Sequence, residues 1–212
     1  MTVRVDLNLS LDGVAVTSDQ SPENPMGEDW AKITAAYVGT KTFRERVMLE
    51  STGEGTTGVD DRYAAAYFEG VGAEIMGAGM FGFHTFPDDP HWRGWWGDEP
   101  PFRSTVLVLT HREHAPIEFA NGTRFEFLSA SPQVALARAR ELAGDADIRV
   151  GGGASIARAF LAAGLVDRLH VAITPIVLGR GLRLWDDLPE LEGYRVTSDV
   201  AESGVIHVTF ER

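Results

Sequence analysis

Three consecutive glycines between a predicted strand and a predicted helix form the segment best suited to chemistry. Residues 148–150 predict a strand that ends directly in Gly151, Gly152 and Gly153, and residues 154–163 predict a helix. Glycine lets the backbone approach a ligand closely, and the first N–H groups of a helix have no intrahelical partners and lie at its positive end. This geometry suits a diphosphate. A plain turn would give the same pattern, so the residues alone leave both interpretations open.

The same segment differs from two better-known patterns. Ile156 stands where the dinucleotide-binding pattern G-x-G-x-x-G needs its last glycine. Ser155 lies in a sequence one residue short of the nucleophile elbow G-x-S-x-G, with Ala157 in place of the final glycine. A serine hydrolase using Ser155 is therefore an alternative, with Asp186 or Asp187 and then His207 in the order that such enzymes need. His207, however, alternates with apolar residues on a predicted strand, which favours a structural or solvent-facing histidine.

Two charged residues follow predicted strands. Arg112 comes just after the apolar run 105–109, and a guanidinium beyond the carboxyl end of a strand lies where open α/β sheets bind ligands. Asp12 begins a tight Asp-Gly turn after the first strand. An exposed charge and an ordinary turn explain them equally well. If the first strand is central, the Asp12 carboxylate points into the same crevice as the glycines.

Residues 83–102 are irregular, rich in proline and glycine, and contain three of the five tryptophans. Irregular segments of this length in a compact domain more often have a function than serve only as connections. Trp95 and Trp96 are candidates for the wall of a substrate site, because aromatic rings stack on flat heterocycles. A loop folded over the core, or a contact between subunits, is the alternative.

Composition excludes several classes of function. The 31 acidic and 19 basic residues give a net charge of -12, which repels nucleic acids and anionic lipid. The sequence has no cysteine, in keeping with a cytoplasmic protein, and no apolar stretch near the roughly 20 residues that span a membrane. His111 and His114 lack the acidic neighbour of a typical zinc motif, so we expect loop histidines and no metal site.

The elements that must position these residues alternate along 212 residues, as expected for one α/β domain. The hydrophobic pattern predicts helices over 30–49, 60–68, 132–143 and 154–163, and strands over 3–9, 105–109, 125–128, 148–150 and 168–178. Residues 194–199 and 205–210 predict an antiparallel pair. The whole is a mixed, mostly parallel sheet with helices on both faces and an antiparallel C-terminal edge.

Five segments in order and spacing carry a family resemblance. They read SLDG at 10–13, MGAGMFG at 76–82, VLVLTH at 106–111, GGGAS at 151–155 and PIVLGRG at 175–181. The chain resembles dihydrofolate-reductase-like proteins, specifically those similar to the C-terminal reductase domain of the bifunctional deaminase–reductase of riboflavin biosynthesis. The likeness runs from Val3 to Phe210 and implies a three-layer α/β/α fold.

The resemblance also implies hydride transfer from NADPH to a small, heterocyclic substrate, and it assigns cofactor-binding residues. The glycine-rich turn holds the pyrophosphate, which here falls on Gly151, Gly152, Gly153, Ala154, Ser155 and Ile156. A second cofactor turn falls on Gly77, Ala78, Gly79 and Met80, and the turn near the adenosine 2′-phosphate falls on Thr110, His111 and Arg112. The second turn lacks the family's arginine, so NADH is an alternative cofactor unless Arg112 compensates.

The resemblance also bears on the role of Asp12, on the oligomeric state and on the metabolic pathway. Asp12 matches the floor of the family's substrate cleft, where it would orient substrate or deliver a proton, provided burial raises its pKa. A homodimer is expected. The deaminase signature is absent, so riboflavin synthesis does not follow. A non-catalytic nucleotide-binding module stays an alternative because no other proton donor is evident.

Overall fold

The computed structural model describes residues 1–188 and 190–212. Its strands are β1 (Val3–Ser10), β2 (Val14–Val16), β3 (Val71–Gly77), β4 (Thr105–Leu109), β5 (Ile117–Glu118), β6 (Arg124–Leu128), β7 (Asp147–Gly152), β8 (Arg168–Thr174), β9 (Leu182–Arg183), β10 (Arg195–Val200) and β11 (Ile206–Glu211). Its helices are α1 (Trp30–Val38), α2 (Lys41–Arg46), α3 (Val59–Ala66), α4 (Ala78–Phe81), α5 (Pro132–Ala143) and α6 (Ala154–Ala162).

The chain divides into two compact units, each assembled from two stretches of sequence. The first unit contains Met1–Val5 and Gly70–Asp167, and the second contains Asp6–Glu69 and Arg168–Arg212.

A parallel sheet forms the first unit. The first residues of β1 pair with β7, and β7, β3, β4 and β6 continue the sheet in parallel, while β5 pairs antiparallel with β6. Helices α5 and α6 pack on β3 and β7. Ile75, Leu107 and Val150 are fully buried, as the apolar central strands of a covered parallel sheet must be. The predicted alternation of strands and helices is confirmed.

Helix α5 shows how local signals set the boundaries of an element. The Ser131 hydroxyl accepts a hydrogen bond from the Val134 N–H, and Pro132 occupies the first turn, where its missing N–H costs nothing. Gly144, with φ of 59°, ends the helix. The structure therefore has the predicted bounds.

The second unit carries the predicted antiparallel edge. Strand β10 pairs antiparallel with β11, β11 pairs antiparallel with β8, and β8 neighbours the remainder of β1. Strands β2 and β9 form a separate antiparallel pair. Helices α1, α2 and α3 pack on one another, and α1 contacts β8.

Two predicted elements of the second unit are shorter than expected. The helix predicted over 30–49 is two helices, because Thr40 is extended and its hydroxyl accepts from the Phe43 N–H to begin α2. The strand predicted over 168–178 ends at Thr174, before Pro175, which has no N–H for a sheet ladder. None of the helices in the described residues is both long and apolar enough to cross a membrane.

Candidate functional site

The triple-glycine turn links β7 to α6 in the first unit. Gly151 and Gly152 still belong to the strand, and Gly153 is the N-cap of the helix. Along β3, Ile75 pairs with Val150 and Met76 pairs with Gly152, so Gly151 is bulged out of the register. Gly152 has φ of 113°, which side-chain-bearing residues rarely adopt, and the peptide bond between Gly152 and Gly153 is cis. Glycine is thus required by the backbone at this turn.

The first turn of α6 provides backbone amides for an anion. Gly153 supplies no side-chain cap, so the first N–H groups of the helix depend on another acceptor. Ser155 lies inside the first turn and is exposed, so it does not cap the helix. An uncapped helix start that follows a glycine turn is the arrangement that binds phosphate groups in proteins.

The structure brings the second predicted cofactor turn against the first. Gly77 ends β3 and caps α4, and a Cβ at Gly77 would lie 2.8 Å from Cγ1 of Ile156 on α6. A Cβ at Gly151 would lie 3.6 Å from Cε of Met80. Gly79 is equally crowded, since its Cβ would meet Nδ1 of His84 at 2.9 Å. Of these contacts, only that of Gly77 with Ile156 both joins the two turns and is too close for a Cβ, so glycine at position 77 lets the two turns approach each other.

The third predicted segment leaves the same edge of the sheet. Leu109, the last residue of β4, pairs with Gly77, and Met76 pairs with Gly152, so three parallel strands end at one level. The residues after β4 are tied locally: the Thr110 hydroxyl accepts from the Arg112 N–H at 3.0 Å, and His111 Nδ1 lies 3.0 Å from the Ser129 hydroxyl. The carboxyl edge of a parallel sheet is where such folds bind ligands.

Arg112 is exposed and held in place by its neighbours. Its Nη1 donates to the Pro87 carbonyl, and its guanidinium lies 5.1 Å from the centre of the Phe83 ring. A guanidinium has five N–H donors, so these contacts fix the group without using its capacity for phosphate.

Asp12 does not fit the role of proton donor. Its carboxylate accepts hydrogen bonds from the Ser10 hydroxyl at 2.7 Å and from the N–H groups of Leu178 and Gly179 at 3.0 and 2.9 Å. The Ser10 hydrogen bond, then that of Leu178, hold the pKa of Asp12 far below its ordinary value. Burial alone acts to raise this pKa, but the hydrogen bonds outweigh it, so the expected raised pKa is wrong and at neutral pH the carboxylate holds no proton to deliver.

Replacing Asp12 with asparagine should destabilise the fold without changing any activity profile between about pH 5 and about pH 8, where Asp12 does not titrate. The asparagine NH2 would face an N–H donor, which costs about 1–3 kcal/mol of unfolding free energy. Because the pKa is lowered in the fold, the contribution of Asp12 is present above about pH 4 and is lost as the pH falls further. Thermal unfolding measures this, with Asp98→Asn as the control, since the Asp98 side chain is 98% exposed. Equal unfolding temperatures for the two variants would contradict the structural role.

The tryptophan-rich loop packs on the second cofactor turn. The indole N–H groups of Trp92 and Trp95 donate to the carbonyls of Phe81 and Met80, both at 2.8 Å. Trp96 packs into an aromatic core, with its ring 4.8 Å from Phe102. Trp96 thus has a packing role and Trp95 is half-buried beside the turn, while the substrate contact predicted for both stays a prediction.

The geometry removes the base that a serine hydrolase would need. His207 is buried, with Nε2 2.8 Å from Asp60 Oδ1 and Nδ1 3.0 Å from Nε2 of His170. Both ring nitrogens of His207 are therefore engaged by the side chains of Asp60 and His170. Among the described residues no group of three metal-binding side chains occurs.

A buried ion pair beside the glycine turn was missed from the sequence. Arg149 Nη1 lies 3.3 Å from Glu74 Oε2, and a Cβ at Gly151 would lie 3.4 Å from that oxygen. The signal was present, since each charge interrupts an apolar strand and the two residues are register partners on β7 and β3. Recognising it required the strand order.

Comparison with known proteins supports the resemblance. Residues 1–204 match the family model of the RibD C-terminal domain. A search of curated proteins finds no match. A solved structure from Shewanella sp. PV-4, described as that of a riboflavin biosynthesis protein, shares 19% identity at a TM-score of 0.62, covering 100% of this chain and 99% of that one.

Two further structures share the fold at low identity. Acinetobacter baumannii RibD has 14% identity and a TM-score of 0.53, with coverage of 99% of this chain and 57% of RibD. Dihydrofolate reductase from Enterococcus faecalis, complexed with NADP(H) and RAB-propyl, has 13% identity and a TM-score of 0.51, with coverage of 100% and 96%. These likenesses confirm the predicted dihydrofolate-reductase-like α/β fold. Since the family model spans nearly the whole sequence, the chain belongs to the RibD C-terminal domain family.

Proposed function

We propose that the protein is a reductase that transfers a hydride from NADPH to a small, heterocyclic substrate. The observation that carries this proposal is the meeting of three predicted cofactor segments at one edge of the first unit's sheet, through the register of Met76 with Gly152 and of Gly77 with Leu109. The enzymatic activity of the RibD family and the NADP(H) bound to the dihydrofolate reductase of similar fold support it.

The residues present fit such a cofactor. Gly152 adopts a conformation reserved for glycine, and the uncapped start of α6 offers amides to the pyrophosphate. When bound, the nicotinamide supplies the hydride, and the protein binds, orients and excludes water. Arg112 would pair with the 2′-phosphate, because a guanidinium matches phosphate geometry and Phe83 holds it in place.

Titration with NADPH tests the cofactor. Trp95 is hydrogen-bonded to Met80 of the second cofactor turn and Trp92 to the adjacent Phe81, so bound NADPH should quench the fluorescence of both and emit by energy transfer. Absence of binding at millimolar NADPH would contradict the proposal. Turnover with a panel of heterocyclic substrates then separates a reductase from a nucleotide-binding module. That second function is favoured by one observation, the ionised state of Asp12.

Replacing Arg112 with alanine should weaken NADPH binding and spare NADH. Loss of a charged hydrogen bond of about 1.4–3 kcal/mol raises the dissociation constant of NADPH about tenfold to about 100-fold. NADH has no 2′-phosphate, so its dissociation constant should change little. Arg140→Ala is the control, since Arg140 is an exposed arginine on α5 and its loss changes net charge equally. An equal loss of affinity for NADPH and NADH would show that Arg112 does not contact the 2′-phosphate.

The homodimer implied by the resemblance stays a prediction. All six residues of β10 are exposed, including Val196 and Val200 at 54% and 70%. An exposed strand with apolar residues is a surface that a second copy would cover.

A further inference from the structure

Four buried side chains of the second unit form a continuous row. Asp60 Oδ1 lies 2.8 Å from Nε2 of His207, Nδ1 of His207 lies 3.0 Å from Nε2 of His170, and Nδ1 of His170 lies 3.5 Å from Oδ1 of Asp6. None of the four residues is more than 8% exposed. They come from α3, β11, β8 and β1 in that order, so the row joins the helix to three strands. We call it the Asp–His row.

Hydrogen-bonding rules assign the protons of the Asp–His row. An ionised carboxylate only accepts, so the short contact with Asp60 requires a proton on Nε2 of His207. With that ring neutral, its Nδ1 accepts, and Nε2 of His170 must donate. Nδ1 of His170 is then the one position left to assign.

Nδ1 of His170 is the position where an additional proton would resolve a conflict. It is buried, and no hydrogen-bond partner for it is found among the described residues, with Asp6 Oδ1 at 3.5 Å. Without a proton, its lone pair faces a carboxylate in a region of low dielectric. With a proton, the same contact becomes an ion pair, which offsets the cost of burying both groups.

The charges and rings around the two histidines also favour a cation. Tyr63 on α3 stacks on both rings, at 4.4 Å from His170 and 4.2 Å from His207, with interplanar angles of 6° and 4°. An aromatic face attracts a cation. Ionisable groups beside the row in the described part of the chain include Asp6 on β1, Asp60, Arg62 and Tyr63 on α3, Tyr67 at the end of α3, and Asp199 on β10. The two histidines thus lie between the carboxylates of Asp6 and Asp60.

We propose that the Asp–His row holds one additional proton, on His170, and acts as a pH-sensitive latch that fastens α3 to β8 and β11. The latch closes over a small cavity lined by residues that include Asn8, Ile33, Tyr37, Asp60, Tyr67 and His207. Loss of the proton returns the lone pair of His170 to face Asp6, weakens the row, and loosens α3 over the cavity.

The latch predicts a stability maximum near the ordinary histidine pKa of about 6.5. A proton held more tightly by the folded protein stabilises it at low pH, and this stabilisation is lost as the pH rises. Burial lowers the pKa of His207, so a second proton enters the unfolded chain more readily than the fold, and stability also falls as the pH drops. The stability curve therefore has an acid limb below the maximum and an alkaline limb above it. Along each limb the unfolding equilibrium constant changes by at most about tenfold per pH unit.

Nitrogen-15 NMR of the histidine rings in the intact protein tests the proton assignment directly. Near neutral pH we expect both nitrogens of His170 protonated and His207 neutral with its proton on Nε2. Neutral rings at both positions would overturn the proposal. This measurement needs no variant, so it tests the protonation of His170 even if substitutions prevent folding.

Unfolding by denaturant between about pH 5 and about pH 9 tests the latch. His170→Gln and Asp6→Asn should each flatten the alkaline limb, while His91→Gln, at an exposed loop histidine, should keep the wild-type curve. Amide exchange in Val59–Ala66, corrected for its intrinsic pH dependence, should accelerate above the maximum in the wild type only. A wild-type alkaline slope in both row variants would overturn the proposal.

Discussion

Replacing Gly152 with alanine should lower the affinity for NADPH by about 100-fold or more while the protein remains folded. Gly152 has φ of 113°, and an alanine held there costs about 1–3 kcal/mol. The chain avoids this cost by rotating the peptide groups of the turn, which moves the amides away from the pyrophosphate. Because about 1.4 kcal/mol corresponds to tenfold in affinity, loss of two such amide contacts gives the expected size. NADPH titration by tryptophan fluorescence measures it.

Gly164→Ala is the matched control for this experiment. Gly164 follows the other end of α6 with φ of 66°, and nothing lies within 4 Å of the position of its Cβ. Its substitution therefore imposes a similar backbone cost on the same unit, away from the turn. We expect it to lower the unfolding temperature and leave NADPH affinity unchanged. If Gly152→Ala binds NADPH as well as Gly164→Ala, the triple-glycine turn is not the pyrophosphate site.

The elements of the fold that could be predicted are those whose signals are local. Helix α5 was predicted from its hydrophobic pattern, and its serine cap, the proline in its first turn and the glycine after its end fix the same bounds in the structure. The break between α1 and α2 depends on the Thr40 hydroxyl accepting a hydrogen bond from the Phe43 N–H. A threonine inside a helical pattern does not reveal whether its hydroxyl will begin a new helix. Strands β5 and β9 have two residues each, too few for any periodicity.

The candidate site was predictable only as separate segments. Resemblance identified the three cofactor segments, but their meeting depends on the order of β3, β4 and β7, which no single segment encodes. Asp12 was assigned correctly to a turn, yet its low pKa arises first from the Ser10 hydroxyl and then from the N–H groups of Leu178 and Gly179. Two of these donors lie far away in the sequence, so their effect could not be seen there.

Histidine 207 illustrates the same point for buried groups. Its alternation with Ile206 and Val208 predicted a structural or solvent-facing side chain, and the structure confirms the structural interpretation. Its partners, Asp60 and His170, come from α3 and β8. Polar residues in apolar strands are therefore visible in sequence, while the networks that explain them are visible only in the fold.

Replacing Gly77 with alanine should weaken NADPH binding about tenfold to about 100-fold. The whole effect should come from a steric contact of the added methyl group, with no backbone strain. Gly77 has φ of -86°, which any residue adopts, so the backbone tolerates alanine. The added methyl would lie 2.8 Å from Cγ1 of Ile156, which is close to the main chain of α6 and cannot swing aside as a chain end would. The start of α6 must therefore move relative to the second turn.

The double variant Gly77→Ala with Ile156→Ala should restore most of the lost affinity, because it removes the atom that the new methyl meets. Ile156→Ala alone should have a smaller effect than Gly77→Ala, and the four proteins form a double-mutant cycle whose coupling isolates this one contact. Failure of the second substitution to rescue the first would show that Gly77 serves the cofactor directly. Normal binding by Gly77→Ala would show that close packing of the two turns is not required for the site.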